Sequence, residues 1–190
     1  MKKIKIMLVM LSLLGFSSVA SSAVIDFEDV ALGSYSSFSS GGVTFSLSIG
    51  NITVGDEWSH FVLGSLGTHH IDNGPIGGAD FIFNLATPSN YFGLQIGATN
   101  FNQKLSVFDS SNNLLGLLNI PNQVSTQPYP YTGFYAFTIP GISKATLTGA
   151  DDWVVVDNVT TAPVPEPETY AMMLAGLGLI GFSVRRRKQA

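Results

Sequence analysis

Short runs of alternating apolar and small polar residues fill the middle of this chain, and they restrict what it can fold into. Residues 42–49 (GVTFSLSI) alternate as a strand with one buried face does. Other short runs of strand-like composition occupy residues 24–27, 80–85, 91–96, 104–109, 114–118, 135–139, 144–148 and 153–160. We find no sustained helical period between residues 24 and 162. The pattern predicts an all-β domain.

Turn chemistry separates these runs. The sequence DSSNN at 109–113 predicts a hairpin, and residues 140–141 and 149–151 predict further breaks. Two Gly-rich stretches, 33–42 and 64–78, are predicted to be long loops. Many short strands with regular turn signals favour a jelly-roll-like β-sandwich over residues 24–160, with a closed barrel as the alternative.

The charge of the middle region excludes one class of partner. Between residues 24 and 162, two lysines (Lys104 and Lys144) stand against eleven acidic residues, which gives a net charge of −9. Such a domain repels nucleic acid, so a nucleic-acid partner is not expected. The chain also has no cysteine, which excludes disulfides, catalytic thiols and cysteine-based zinc sites.

The first 23 residues have the three-part layout of a secretory signal peptide. Three lysines occur within residues 1–5, an apolar stretch follows at 6–16, and small residues end at Ala23. We expect a signal-peptide helix that is cleaved after Ala23, with cleavage after Ala20 as the alternative. A permanent N-terminal anchor is the other interpretation.

The C-terminal region has three parts in a fixed order. A Pro-rich linker occupies residues 161–169, an apolar run occupies 170–184, and a basic cytoplasmic tail is predicted at 185–190. Fifteen helical residues at a rise of about 1.5 Å span roughly 22 Å, less than the roughly 30 Å of a hydrocarbon core. The apolar run therefore predicts a short, transient transmembrane helix, and a permanent single-pass anchor is the alternative. The predicted stop-transfer residues are Arg185, Arg186, Arg187 and Lys188.

The tail closely resembles a known sorting signal. Val164-Pro165-Glu166-Pro167, followed by the apolar run and the terminal basic cluster, resembles the PEP-CTERM signal of exported proteins in Gram-negative bacteria that make extracellular polysaccharide. The resemblance implies that these four residues are the recognition and processing segment for exosortase, an integral-membrane, transpeptidase-like enzyme. It also implies passage through the secretion machinery, transient membrane anchoring, and delivery to the cell surface or extracellular matrix.

Acidic residues near the two ends of the β-domain suggest a cation site. Asp26 and Glu28 share one face of the first run, and Asp157 lies in the last run. First and last strands often lie side by side in jelly-roll modules, so these carboxylates and nearby carbonyls would form the oxygen-rich environment that calcium prefers. The sequence thus suggests a structural calcium ion and no other cofactor. The alternatives are solvated acids at strand ends, or hydrogen bonds from the backbone to Asp157.

Aromatic residues suggest a second kind of site. Tyr129 and Tyr131 lie in the sequence PYPY, which has the composition of an exposed loop, and together with Trp58 they are candidates for stacking on sugar rings. The alternative is that they are core residues. Adjacent His69 and His70 point in different directions on an extended chain, which argues against joint metal ligation.

These observations favour a non-enzymatic surface or matrix protein associated with extracellular polysaccharide. No G-x-S-x-G elbow is present, and no base is visibly paired with a serine, so no catalytic residue is assigned. One alternative is a carbohydrate-binding module with a structural calcium ion. A hydrolase that acts on the matrix is the other.

Overall fold

The computed structural model describes residues 23–56, 68–74, 78–97, 102–121, 132–149, 154–163 and 176–177. The chain divides into two compact units, one of which is Ser21–Val164 and the other the two terminal segments, Met1–Ala20 and Pro165–Ala190. In the terminal segments the described residues are Gly176 and Leu177, which are helical. Among all the described residues, no helix has the length and apolar character needed to cross a membrane. The predicted signal peptide and most of the predicted membrane helix lie outside the described residues.

The described part of Ser21–Val164 is built from strands, and every pairing between them is antiparallel. The strands are β1 (Ala23–Ile25), β2 (Gly33–Tyr35), β3 (Ser37–Ser40), β4 (Val43–Leu47), β5 (Ile52–Gly55), β6 (His70–Asp72), β7 (Phe81–Gly97), β8 (Gln103–Phe108), β9 (Leu114–Ile120), β10 (Thr132–Thr148) and β11 (Val155–Pro163). The predicted all-β architecture is confirmed.

A long two-stranded ribbon, made of β7 and β10, bends in the middle. The two strands pair from Thr132↔Gly97 to Leu147↔Phe81, with register shifts between Thr138 and Lys144. Phe83 and Phe92 are nine residues apart, which is roughly 30 Å along a straight strand. Their ring centroids are nevertheless 5.5 Å apart. The ribbon therefore folds back, so that each of its halves belongs to a different layer of a sandwich.

The two layers share this ribbon. The first runs β3-β4-β7-β10-β8-β9 and uses residues 81–85 of β7 and 144–148 of β10. The second runs β10-β7-β11 through the other halves of the ribbon, and β11 continues to β1 along one stretch and to β6, β5 and β2 along another. The core between the layers contains Phe27, Phe45, Phe81, Phe83, Phe92, Leu94, Ile96 and Leu105.

Phenylalanine rings connect the layers at the centre of the core. Phe45 lies 5.1 Å from Phe27 and 5.8 Å from Phe83 between ring centroids, both in edge-to-face geometry. Each such ring stabilises the fold by about 1.5–3 kcal/mol on burial, and the edge-to-face pairs add to this. With no disulfide, apolar packing of this kind holds the two layers together.

Several predicted boundaries were wrong. Residues 33–42 contain β2 and β3, residues 64–78 contain β6, and β5 was not predicted. The segments of β7 and of β10 predicted as separate strands are continuous. The hairpin predicted at 109–113 is confirmed, since the Asp109 carboxylate accepts hydrogen bonds from the backbone N–H groups of Ser111 and Asn113, each at 2.8 Å.

Candidate functional site

The first and last strands lie side by side, as the sequence predicts. β1 pairs with β11 from Ala23↔Thr161 to Ile25↔Val159, so Asp26 follows directly after the paired segment. On its other edge β11 pairs with β7, and the register shifts between Asp157 and Thr160. Asn158 has a φ of 47°, which few non-glycine residues adopt. This irregularity is a β-bulge, a feature that re-aims side chains.

The bulge holds Asp157 in an unusual environment. The residue is 0% exposed, and its Oδ1 accepts a 2.6 Å hydrogen bond from the backbone N–H of Asn158. Its Oδ2 is buried and has no hydrogen-bond partner among the described residues. Burial, together with the smaller effect of the negative charges of Asp26 and Glu28, raises the pKa of Asp157 to about 7. The site therefore disfavours an ionised Asp157 unless a positive charge is bound there.

Glu28 is held by the segment that precedes β6. Its Oε2 accepts a 2.6 Å hydrogen bond from the Thr68 hydroxyl, and its Oε1 accepts a 2.9 Å bond from the backbone N–H of His69. These bonds, with the Thr68 hydroxyl first, lower the pKa of Glu28. The carboxylate therefore stays ionised and ties the start of the domain to residues 68–69.

The acids do not form a ready-made metal cluster. Among the described residues, no three His, Cys, Asp or Glu side chains converge as metal ligands. Asp26 Oδ1 accepts a 3.3 Å hydrogen bond from the backbone N–H of Glu28, and Glu28 is already bound on both oxygens. A cation at this place would rely on the orphaned Oδ2 of Asp157, with the neighbouring acids supplying charge. The structure brings Asp26, Glu28 and Asp157 near one another but leaves their role as ligands a prediction.

An exposed aromatic surface lies on the outer face of the second layer. Residues paired across neighbouring strands point to the same side of a sheet. Phe134 pairs with Gln95, Ala136 pairs with Gly93, and Gly93 pairs with Thr160. Asn158 joins this surface because its side-chain N–H₂ donates a 3.0 Å hydrogen bond to Gln95 Oε1. We call this surface the Phe134 face, defined by Phe134, Ala136, Gly93, Gln95, Asn158 and Thr160.

Two histidines predicted in a loop lie in or next to β6. His70 and Asp72 are both buried in this strand, with Nε2 and Oδ2 3.9 Å apart. Burial lowers the pKa of His70 and raises that of Asp72, so both groups favour their neutral forms. His69 is turned to the carbonyl of Phe27, with its Nδ1 3.0 Å from that oxygen. The pair His70 and Asp72 is a packed polar contact rather than an ion pair.

Several predicted site residues lie outside the described residues. These are the glycan candidates Trp58, Tyr129 and Tyr131, the sorting residues Val164, Pro165, Glu166 and Pro167, and the basic cluster Arg185, Arg186, Arg187 and Lys188. Sequence reasoning also missed the Phe134 face. Residues 134–139 (FYAFTI) carry apolar side chains at both alternating sets of positions, so the sequence alone does not show which set faces solvent.

The C-terminal segment matches a described family. Residues 163–188 match the PEP-CTERM protein-sorting motif. The chain carries a PEP-CTERM sorting signal. The resemblance noted at Val164-Pro165-Glu166-Pro167 is confirmed, and the motif marks the protein for export and sorting to the cell surface. Among curated protein sequences, none matches the chain.

Solved structures similar to this PEP-CTERM protein include two carbohydrate-binding modules. A mutant of CBM29-2, a family 29 carbohydrate binding module, is 12% identical with a TM-score of 0.44, over 75% of this chain and 92% of that one. TmCBM61 in complex with beta-1,4-galactotriose is 12% identical with a TM-score of 0.43, over 65% and 90%. The enzymatically active domain of tailspike protein 4 from bacteriophage CBA120 is 18% identical with a TM-score of 0.37, over 65% of this chain. The match spans about a fifth (20%) of that tailspike chain.

Proposed function

We propose that this PEP-CTERM protein is a non-enzymatic surface or matrix protein that is exported, anchored transiently in the membrane, cleaved by an exosortase, and retained among extracellular polysaccharide. The observation that carries the proposal is the sorting motif at residues 163–188, directly after the last strand of the β-domain. The Pro-rich segment favours an extended backbone that a processing enzyme can grip. The apolar run of 170–184 is short for a bilayer, which suits a temporary anchor.

We propose jelly-roll connectivity for the β-sandwich and, as a second candidate function, a carbohydrate-binding module with a structural calcium ion. The observation that favours calcium is the buried, unpartnered Oδ2 of Asp157 beside Asp26 and Glu28. Calcium takes six to eight oxygen ligands, so carbonyl and water oxygens would complete the coordination. A bound ion would stabilise the ionised form of Asp157 and join the first strand of the domain to the last.

A measurement of the mature mass tests the sorting proposal. The full chain is expressed in a PEP-CTERM-sorting bacterium with and without its exosortase, and the exported product is weighed by mass spectrometry. We expect a product that ends near Pro165-Glu166-Pro167 when the enzyme is present, and an uncut chain when it is absent.

Two matched acid variants sharpen this test. Glu166→Gln alters the central acid of the Pro-Glu-Pro segment, whereas Glu168→Gln alters an acid two residues further along. We expect Glu166→Gln to lower the cleaved fraction at least about tenfold, which corresponds to the loss of one charge-assisted contact. Glu168→Gln should be processed like the wild type. An uncut C-terminus in the presence of the exosortase would contradict the sorting proposal.

A further inference from the structure

Phe134 lies flat on its own sheet because Gly93, its diagonal neighbour on β7, has no side chain. A Cβ atom built at Gly93 would lie 2.6 Å from Phe134 Cζ and 3.1 Å from Phe134 Cε1. The ring therefore occupies the space of the missing side chain. A glycine in a strand often marks a place where another group approaches the backbone closely. Here that group is an aromatic ring that covers the strand.

The ring remains half open to solvent. Phe134 is 51% exposed, although a covered phenylalanine of this size would contribute about 1.5–3 kcal/mol by full burial. An aromatic ring that packs over a glycine can stabilise a sheet by itself, but only one face of the ring then makes contacts. The other face stays in contact with solvent. An aromatic surface presented in this way is suited to a ligand that stacks on it.

Polar groups beside the ring are already ordered. Asn158 and Gln95 hold each other by a 3.0 Å side-chain hydrogen bond, and the Thr160 hydroxyl donates a 3.1 Å bond to the carbonyl of Asn158. Side-chain amides carry both donors and acceptors, as sugar hydroxyl groups do. Because Gln95 pairs directly with Phe134, its amide lies one strand away, about 4.8 Å across the sheet, and Asn158 lies on the following strand, β11.

We propose that the Phe134 face binds an uncharged polysaccharide, with a sugar ring stacked on Phe134 and hydroxyl groups hydrogen-bonded to the Gln95–Asn158 amide pair. This inference rests on the proposed retention among extracellular polysaccharide and names the face and the class of ligand. The negative charge of the domain favours a neutral ligand over an anionic one. A net charge of −9 over residues 24–162 repels polyanionic glycans, anionic membranes and a second copy of the same domain, but not a neutral sugar chain.

Affinity electrophoresis of the full chain tests this proposal. The protein is kept in a polyoxyethylene detergent, since sugar-based detergents would compete for the face. Native gels contain hydroxyethyl cellulose, xyloglucan, galactomannan or dextran as neutral probes, and alginate as the anionic probe. We expect retardation by at least one neutral polysaccharide and none by alginate. Phe134→Ala should weaken this retardation at least about tenfold, as loss of a central aromatic contact does.

Matched variants separate binding from folding. Leu117→Ala removes an apolar side chain of similar exposure (48%) from β9 and should bind like the wild type. Phe134→Tyr keeps a ring and should retain binding, and Gln95→Ala should weaken binding with the ring in place. Urea midpoints check that each variant is folded.

Three results would overturn the proposal. They are no retardation of the wild type by any neutral polysaccharide, equal retardation of the wild type and Phe134→Ala, and Phe134-dependent self-association or vesicle binding in place of retardation. A chain that is retarded but not cleaved by exosortase would contradict the sorting proposal and support the assignment of this face. A chain that is cleaved but not retarded would support the sorting proposal and contradict the assignment of this face.

Discussion

Among single residues, Asp157 is expected to make the stability of the domain depend on pH, because its carboxyl group is buried. Its pKa rises from 3.8 to about 7 in the folded chain, chiefly through burial. The folded state therefore binds the proton more tightly than the unfolded state does. This contribution to stability is fully present below about pH 4 and is lost as the pH rises through about 7.

Asp157→Asn is predicted to remove this pH dependence. In the presence of a chelator, the variant should gain stability relative to the wild type between pH 5 and pH 8, by up to on the order of 4 kcal/mol. Urea unfolding at a series of pH values measures the difference. With millimolar calcium, an ion at Asp157 would instead stabilise the wild type at pH 8 and leave Asp157→Asn unchanged.

Glu28→Gln provides a control of opposite sign. Hydrogen bonds from Thr68 and His69 lower the pKa of Glu28, so its contribution is present above its ordinary value of 4.5 and is lost as the pH falls. Glu28→Gln should therefore lower the free energy of unfolding at neutral pH, and this loss should become smaller in acid.

If the free energies of unfolding of Asp157→Asn and the wild type differ by the same amount at pH 5 and pH 8 in chelator, the assignment of a raised pKa is wrong. Equal melting curves with calcium and with chelator would contradict the calcium proposal.

At the scale of strands and turns, the bend and the end of β10 depend on glycine in two different ways. Gly141 has a φ of +86° at the bend, and nothing lies within 4 Å of a Cβ built there. Gly149 has a φ of +84° just after the strand, and its Cβ would lie 2.8 Å from the carbonyl oxygen of Asn102. The backbone strain is the same at the two positions, whereas the available space differs.

We predict that Gly141→Ala destabilises the domain by about 1–2 kcal/mol, the cost of a left-handed conformation for an L-residue. Gly149→Ala should cost more, since the new methyl group also collides with backbone that cannot move aside easily. Equilibrium urea unfolding of both variants gives the two free energies. Equal losses of unfolding free energy in the two variants would show that the backbone at Asn102 moves away from the new methyl group without a further loss of stability.

The same elements show what the sequence could predict. The alternation of 42–49 identified β4, and the turn residues at 109–113 identified the β8–β9 hairpin. In contrast, β2, β3 and β5 are short, and two of them are rich in serine and glycine. Their strand conformation comes from pairing with β4, β5 or β6, which is a tertiary effect that local composition does not carry. The predicted break at Pro140-Gly141 is a bend, because the ribbon partner continues through it.

In the whole molecule, the sequence predicted which strands are neighbours at the ends of the domain, but it did not predict the exposed Phe134 face. The adjacency of the first and last strands followed from the sandwich fold and brought Asp26 and Asp157 together as predicted. The Phe134 face needed the register of three strands, since Phe134, Gln95 and Asn158 are far apart in sequence. The net charge of the domain, in contrast, can be counted from the sequence alone.

The net charge of −9 over residues 24–162 predicts that salt stabilises the β-domain. Like charges repel one another in the compact state, and this repulsion weakens as the Debye length falls from about 30 Å at 0.01 M salt to about 8 Å at 0.15 M. We therefore expect the melting temperature to rise with sodium chloride over this range in the presence of a chelator. Because Asp29→Asn and Asp80→Asn each remove one negative charge, the double variant should show a smaller rise. A melting temperature that is constant or falls with salt would mean that local ion pairs, rather than net repulsion, dominate the electrostatics of the domain.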